Sequence, residues 1–163
     1  EAYALVLPDT LRVIRTLVYL KPDVLLLLDR VQLKQAAPVQ LRFQVFNEDG
    51  KGVATGAGTS FGIDRPFASL RGTLATTGAV TAAPGRIAVP ESVGIFPFVE
   101  VVSTAATSHE VLTACTAAPA GGPHGQLAVT RVETGWRVTG SHAGRKVDVT
   151  INSTAAVPVI TLA

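Results

Sequence analysis

Three histidines, one cysteine and a scatter of carboxylates are the side chains of this sequence that could carry catalysis or hold a metal, and their spacing favours neither. His109, His124 and His142 stand apart. None lies one or two strand positions, or one helical turn, from another histidine or a carboxylate pair, whereas a zinc site needs three or four convergent ligands. His124 and His142 read as exposed turn or loop residues, and His109 as a strand-start residue beside Glu110. Cys115 follows the mostly apolar run 111–114 with no cationic neighbour to lower its pKa, so a buried, inert thiol is expected. No Gly-x-Ser-x-Gly elbow is present. Asp9, Asp23, Asp29, Asp49 and Asp64 fall at strand ends or turns, where nothing pairs them for acid–base work. Asp23 reads as a turn residue beside Pro22, and Asp29-Arg30 as charges closing an apolar strand. The acidic turn 47–52 lacks the alternating ligand spacing of a calcium loop and reads better as a hairpin. No catalytic residue, metal ligand or cofactor is expected.

Two features suit contact with carbohydrate. Gln40, Arg42 and Gln44 form a polar stripe on one strand, and guanidinium and amide groups match hydroxyls or sulfates. Trp136 would stack on a sugar ring if exposed. The competing readings are a solvated sheet face and a core tryptophan beside Val138. Arg42, Gln44 and Trp136 are thus the candidate carbohydrate-binding residues.

Any such side chains must be positioned by strands. Val24–Leu28 is apolar at every position, so it should be covered on both faces. It faces another strand-forming run across Lys21-Pro22-Asp23, within the segment Leu11–Leu33, and is too short to span a bilayer. Period-two alternation recurs at Leu41/Phe43/Val45, Trp136/Val138 and Val147/Val149/Ile151. Further strands are expected at 59–64, 67–75, 98–104, 110–116 and 127–132, with 157–162 closing the fold at an edge marked by Pro158. Turns are expected at Asp49-Gly50, 133–135 and 141–145. Residues 76–90 read as a long surface loop and 117–123 as a second. No segment carries helical periodicity, so the sequence predicts an all-β, antiparallel, two-sheet β-sandwich of about ten to twelve strands.

Composition agrees. Hydrophobic residues make up 47% and charged residues 16% of the 163, which excludes disorder and suits one domain, residues 1–163. Residues 1–71 hold nine Lys/Arg against seven Asp/Glu and residues 72–163 five against five. Without a basic cluster, neither nucleic-acid nor membrane binding is expected. The chain has no methionine and opens on the strand-like Glu1–Leu7, so it reads as a fragment of a larger protein.

The segment Arg12–Arg30, RVIRTLVYLKPDVLLLLDR, resembles a strand pair in the β-sandwich part of heparinase II/III-like polysaccharide lyases. In that family a basic, apolar strand enters a Lys/Arg-Pro-Asp turn and an apolar strand follows, ending in Asp. The pieces Leu41–Gly50, Phe61–Leu70 and Phe96–Val102 look like the remaining sandwich. The resemblance implies the C-terminal β domain of an enzyme that removes the proton α to a uronate carboxylate and eliminates the 4-linked sugar. It also implies an N-terminal helical toroid as the partner domain, an acidic polysaccharide as substrate, and a periplasmic or extracellular location. The family's catalytic and metal motifs have no matching positions here: no histidine precedes His109, and Tyr3 and Tyr19 read as strand residues. The domain is therefore expected to be structural or substrate-flanking and inactive alone, with an independent carbohydrate-binding module as the alternative.

Overall fold

The computed structural model describes residues 8–90 and 93–163; the strand expected at Glu1–Leu7, including Tyr3, lies outside them. Thirteen strands run through the described residues, each paired antiparallel with its neighbours. They are β1 (Thr10–Leu20), β2 (Val24–Ala37), β3 (Gln40–Gln44), β4 (Val53–Ala57), β5 (Ser60–Asp64), β6 (Ala68–Thr76) and β7 (Val80–Arg86). Then come β8 (Pro97–Ser103), β9 (Ala106–Pro119), β10 (Leu127–Val132), β11 (Gly135–His142), β12 (Arg145–Asn152) and β13 (Val159–Leu162). No helix among the described residues is long and apolar enough to cross a membrane.

The expected two-sheet sandwich is elaborated into three sheets. A six-stranded sheet, ordered β1-β2-β9-β6-β5-β4, lies between a four-stranded sheet, β10-β11-β12-β13, and a three-stranded sheet, β3-β8-β7. The middle position follows from the side chains of β2 and β9. Val24, Leu26, Leu28, Leu112 and Ala114 pack against Trp136, Val138, Val149 and Ile151 of the four-stranded sheet. Alternate residues, Leu25, Val111 and Cys115, join Leu41, Val99 and Val101 of the three-stranded sheet on the other side. The uninterrupted apolar run Val24–Leu28 is therefore the signature of a strand with a core on each face, and each fully buried Leu or Val contributes about 1.5–3 kcal/mol relative to exposure.

Local expectations hold at several turns. Lys21–Asp23 joins β1 to β2, Glu133-Thr134 closes β10–β11, and Ala143-Gly144 closes β11–β12 with φ of 49° and 75°. β13 is an edge strand, as Pro158 suggested.

Four expectations are corrected. First, Asp29 does not close its strand: β2 runs on to Ala37, and Asp29 is buried and held by Arg15. Second, the turn 47–52 is no hairpin, because β3 pairs with β8 and β4 with β5, so it crosses between sheets. The Asn47 side chain fixes that crossing by accepting from Gly52 N–H and donating to Ile95 O. Third, residues 76–90 hold β7, which pairs with β8 along its length. Its small residues hid it: at Gly85 a Cβ would stand 2.6 Å from the Phe98 ring opposite, so a larger residue there would displace Phe98. Fourth, β9 extends to Pro119, shortening the loop expected at 117–123.

Candidate functional site

β3 displays the polar stripe as its alternation requires. Gln40, Arg42 and Gln44 are exposed, while Leu41 is buried and Phe43 half-buried. Arg42 is already engaged: its guanidinium sits 2.8 Å from the Glu100 carboxylate and 4.9 Å above the Phe98 ring, both on β8. Trp136 does not join it. The indole is 2% exposed, packed in the core between the six- and four-stranded sheets, and its Nε1–H donates to Glu110 Oε2 at 3.2 Å. Its stacking role with sugar is corrected to a core role, because β11 alternation turns Trp136 and Val138 inward together. Arg42 and Trp136 stand on sheets that cover opposite faces of the central one, so the three candidates do not form one site.

The histidines are more buried than their sequence neighbours suggest. His142, at the end of β11, is 3% exposed; its Nδ1 accepts from Gly125 N–H at 2.9 Å and its Nε2 lies 2.8 Å from Ala117 O. With Nδ1 serving as acceptor, the proton belongs on Nε2, donated to Ala117 O, and the ring is a neutral staple between β9, β11 and the loop before β10. Asp23 lies 3.6 Å from that nitrogen and is ion-paired with Arg145, which also donates to Lys21 O. This node fastens the β1–β2 turn to the four-stranded sheet.

His109 is likewise buried. Its Nε2 lies 3.0 Å from Ala37 O and 2.9 Å from Ala106 O, and its Nδ1 3.0 Å from Ser103 Oγ. Two carbonyls can only accept, so Nε2 carries the proton here too. Half-buried His124 sits between Ser69 Oγ (2.7 Å) and Thr116 Oγ1 (2.9 Å), stacked on His142 with ring centroids 6.1 Å apart. Burial, then Arg71 and His142, hold its pKa below the ordinary value. A serine beside a neutral imidazole is the start of a nucleophile–base pair. Ser69 is buried, however, which keeps this pair from an incoming substrate.

The remaining polar groups are internally paired. Asp49 of the acidic turn is gripped by Arg65 at 2.6 and 2.9 Å, and that guanidinium lowers its pKa. A protein cation thus occupies the place considered for calcium. Among the described residues no three His, Cys, Asp or Glu side chains converge as a metal site would require. Cys115 is buried, and desolvation pushes its pKa up to about 12, which agrees with an inert thiol.

The feature missed in the sequence is a cleft of 620 Å³ between the β1–β2 hairpin and β3. Val13, Val31 and Leu33 form one wall and Val39–Arg42 the other, with the Arg15–Asp29 pair at its floor. Beside it, Leu17 and Tyr19 leave the same face of β1 exposed at 60 and 51%. Sequence alternation marks such residues as sheet-facing but cannot tell whether a second sheet reaches them.

No protein-family model matches the chain, and no curated protein sequence does. Solved structures do match in fold. They include a heparinase III (TM-score 0.61, 15% identity, covering 86% of this chain and 23% of that one). The heparan sulfate lyase HepC from Pedobacter heparinus matches with TM-score 0.62 and 11% identity over 93% of this chain and 24% of that one. A further heparinase III matches with TM-score 0.57 and 12% identity over 86% and 23%. The class defined is an all-β domain of stacked antiparallel sheets. More particularly, its fold is that of a β region found in heparinase III structures, in agreement with the resemblance carried by residues 12–30. The chain spans about a quarter of the length of those structures.

Proposed function

We propose that this chain is the C-terminal β-sandwich domain of a heparinase II/III-like polysaccharide lyase, and that it is structural or substrate-flanking and inactive alone. The observation that carries this reading is the fold agreement over nearly all of this chain and only about a quarter of each lyase. The longer polypeptide would perform β-elimination on a uronate-containing polysaccharide in the periplasm or outside the cell, with a helical toroid supplying the acid and base. Two features support this. The described histidines and Cys115 are committed to internal contacts. The exposed Leu17 and Tyr19 beside an apolar cleft form a face suited to a neighbouring domain. The alternative, an independent carbohydrate-binding module, is weakened by the burial of Trp136 and leaves Arg42 and Gln44 as its polar contacts.

The test is direct. The 163-residue chain and the longer polypeptide are incubated separately with heparan sulfate, heparin and alginate, and ultraviolet absorbance of the unsaturated product is followed. Absorbance is expected to rise only with the longer polypeptide. Product from the isolated chain overturns its inactivity, and no product from either overturns the lyase assignment.

A further inference from the structure

Beyond Leu28 one face of the central sheet changes character. The residues of β2 and β9 that pack on the four-stranded sheet are apolar at Val24, Leu26, Leu28, Leu112 and Ala114. Farther along the same face they are Arg30 and Gln32 on β2 and Glu110 and Ser108 on β9, with Arg12 and Ile14 beside them on β1. These six side chains line a cleft of 180 Å³. A pocket that engulfs a whole small molecule is larger, about 300–1,000 Å³, so this one suits a single substituent of a bigger ligand.

Strand register sets the chemistry of that cleft. Arg12 stands opposite Gln32, and Gln32 opposite Ser108, so a guanidinium, an amide and a hydroxyl form one row across three strands. Neighbours in such a row are about 4.5–5.5 Å apart at Cβ, close enough to meet one ligand group together. All three residues are exposed, and among the described residues none of their side chains has a hydrogen bond or ion pair. Arg30 lies in the adjacent row. Its guanidinium donates to the carbonyls of Ser153, Ala155 and Ala156 at 3.0, 2.8 and 2.5 Å, and its buried Nε meets no acceptor among the described residues. Neutral carbonyls hold the group in place without neutralising its charge. The carboxylate lining the cleft, Glu110, is ion-paired with Arg131 and accepts from the Trp136 indole. The cleft therefore keeps a positive surplus.

We propose that this cleft is a subsite for one oxyanion, the sulfate or carboxylate substituent of an acidic polysaccharide. Arg12 makes the charge-assisted contact, Gln32 and Ser108 donate to the remaining oxygens, and Arg30 adds its uncompensated charge. The oxyanion follows from the row of donors, whereas the polysaccharide that carries it rests on the reading of the chain as part of a lyase. The subsite lies on the face of the central sheet opposite the three-stranded sheet that bears Arg42 and Gln44.

The 163-residue chain is titrated with a heparan sulfate hexasaccharide and, separately, with an unsulfated alginate hexasaccharide. NMR follows Arg12 Nε–H, the Gln32 side-chain amide and the Ser108 amide, and saturable shifts are expected at all three. Shifts with alginate assign a carboxylate, and shifts with heparan sulfate alone assign a sulfate. Arg12→Gln should weaken binding about tenfold or more, the worth of one charged hydrogen bond, and Arg12→Lys should keep part of it. Arg86→Gln, which removes an exposed cation from the three-stranded sheet, should leave binding unchanged. Thermal melts check that each variant folds. Absence of saturable shifts at the three groups, or an equal loss in Arg86→Gln, overturns the proposal. Turnover of heparan sulfate by the longer polypeptide reports separately on the lyase reading. Product without shifts rejects only the subsite, and shifts without product reject only the lyase reading.

Discussion

Arg15 and Asp29 stand directly opposite each other across β1 and β2, and the guanidinium grips the buried carboxylate through Nε–Oδ1 at 2.7 Å and Nη2–Oδ2 at 3.1 Å. The arginine is half exposed while the aspartate is 5% exposed at its side chain, so the two ends of the pair differ in what their loss would cost. Removing Arg15 strands a charge in the floor of the cleft. Arg15→Leu is expected to destabilise the chain by about 1–3 kcal/mol, the cost of leaving a buried polar group unpaired. The double variant R15L/D29L should recover part of that loss. Urea unfolding of the wild type, R15L, D29L and R15L/D29L checks this, and a double variant as unstable as the sum of the two single losses would refute it.

Trp136 is the sole tryptophan, which makes its burial easy to read. Native emission should lie well to the blue of free indole, resist acrylamide, and shift red only on unfolding. Trp136→Phe keeps most of the packing but leaves Glu110 without the indole N–H. Trp136→Ala should cost about 3–5 kcal/mol, as expected for a large core truncation. Heparan sulfate should leave the emission unchanged, since the ring faces the core.

Two groups give stability a pH dependence of defined sign. His124 is held below its ordinary 6.5 by burial, then by Arg71 and His142, so the unfolded chain takes up a proton more readily than the folded one. Its contribution is full above about pH 6.5 and falls as pH drops through that value toward the lower folded pKa. Asp148, bonded to Arg137 and Lys146, is lowered from 3.8 to about 2. Its contribution is present above 3.8 and is lost as pH falls from there to about 2. Urea midpoints taken between about pH 7.5 and pH 2 should therefore fall in both windows. His124→Gln should flatten the upper one and Asp148→Asn the lower; unchanged slopes would count against these assignments.

Cys115, buried at the core between the six- and three-stranded sheets with its pKa near 12, should not react with iodoacetamide at about pH 8 in the folded protein. Alkylation in partial denaturant should follow the unfolded fraction. Rapid labelling under native conditions would mean that the three-stranded sheet opens.

Much of this fold is legible in single residues. Lys21-Pro22-Asp23 marks a turn, Ala143-Gly144 another, and the pairs Leu41/Phe43 and Trp136/Val138 each declare an inward face. The strand β7 was not legible, because Val80–Arg86 carries small residues and a proline that only an edge beside Phe98 accommodates. His142 and Asp29 misled for a related reason. Each is polar in sequence, yet each is buried against a partner more than ten positions away: Ala117 and Gly125 for His142, Arg15 for Asp29.

By itself the sequence determined the all-β character, the principal hairpins and the two-faced burial of Val24–Leu28, since these follow from side-chain period and turn chemistry within a few residues. Only the tertiary structure decided that there are three sheets, that Trp136 and Arg42 lie on opposite sides of the central one, and that β3 borders a cleft against the β1–β2 hairpin. The physical reason is that a period of two says which residues share a face, while what covers that face depends on contacts between strands distant in the chain.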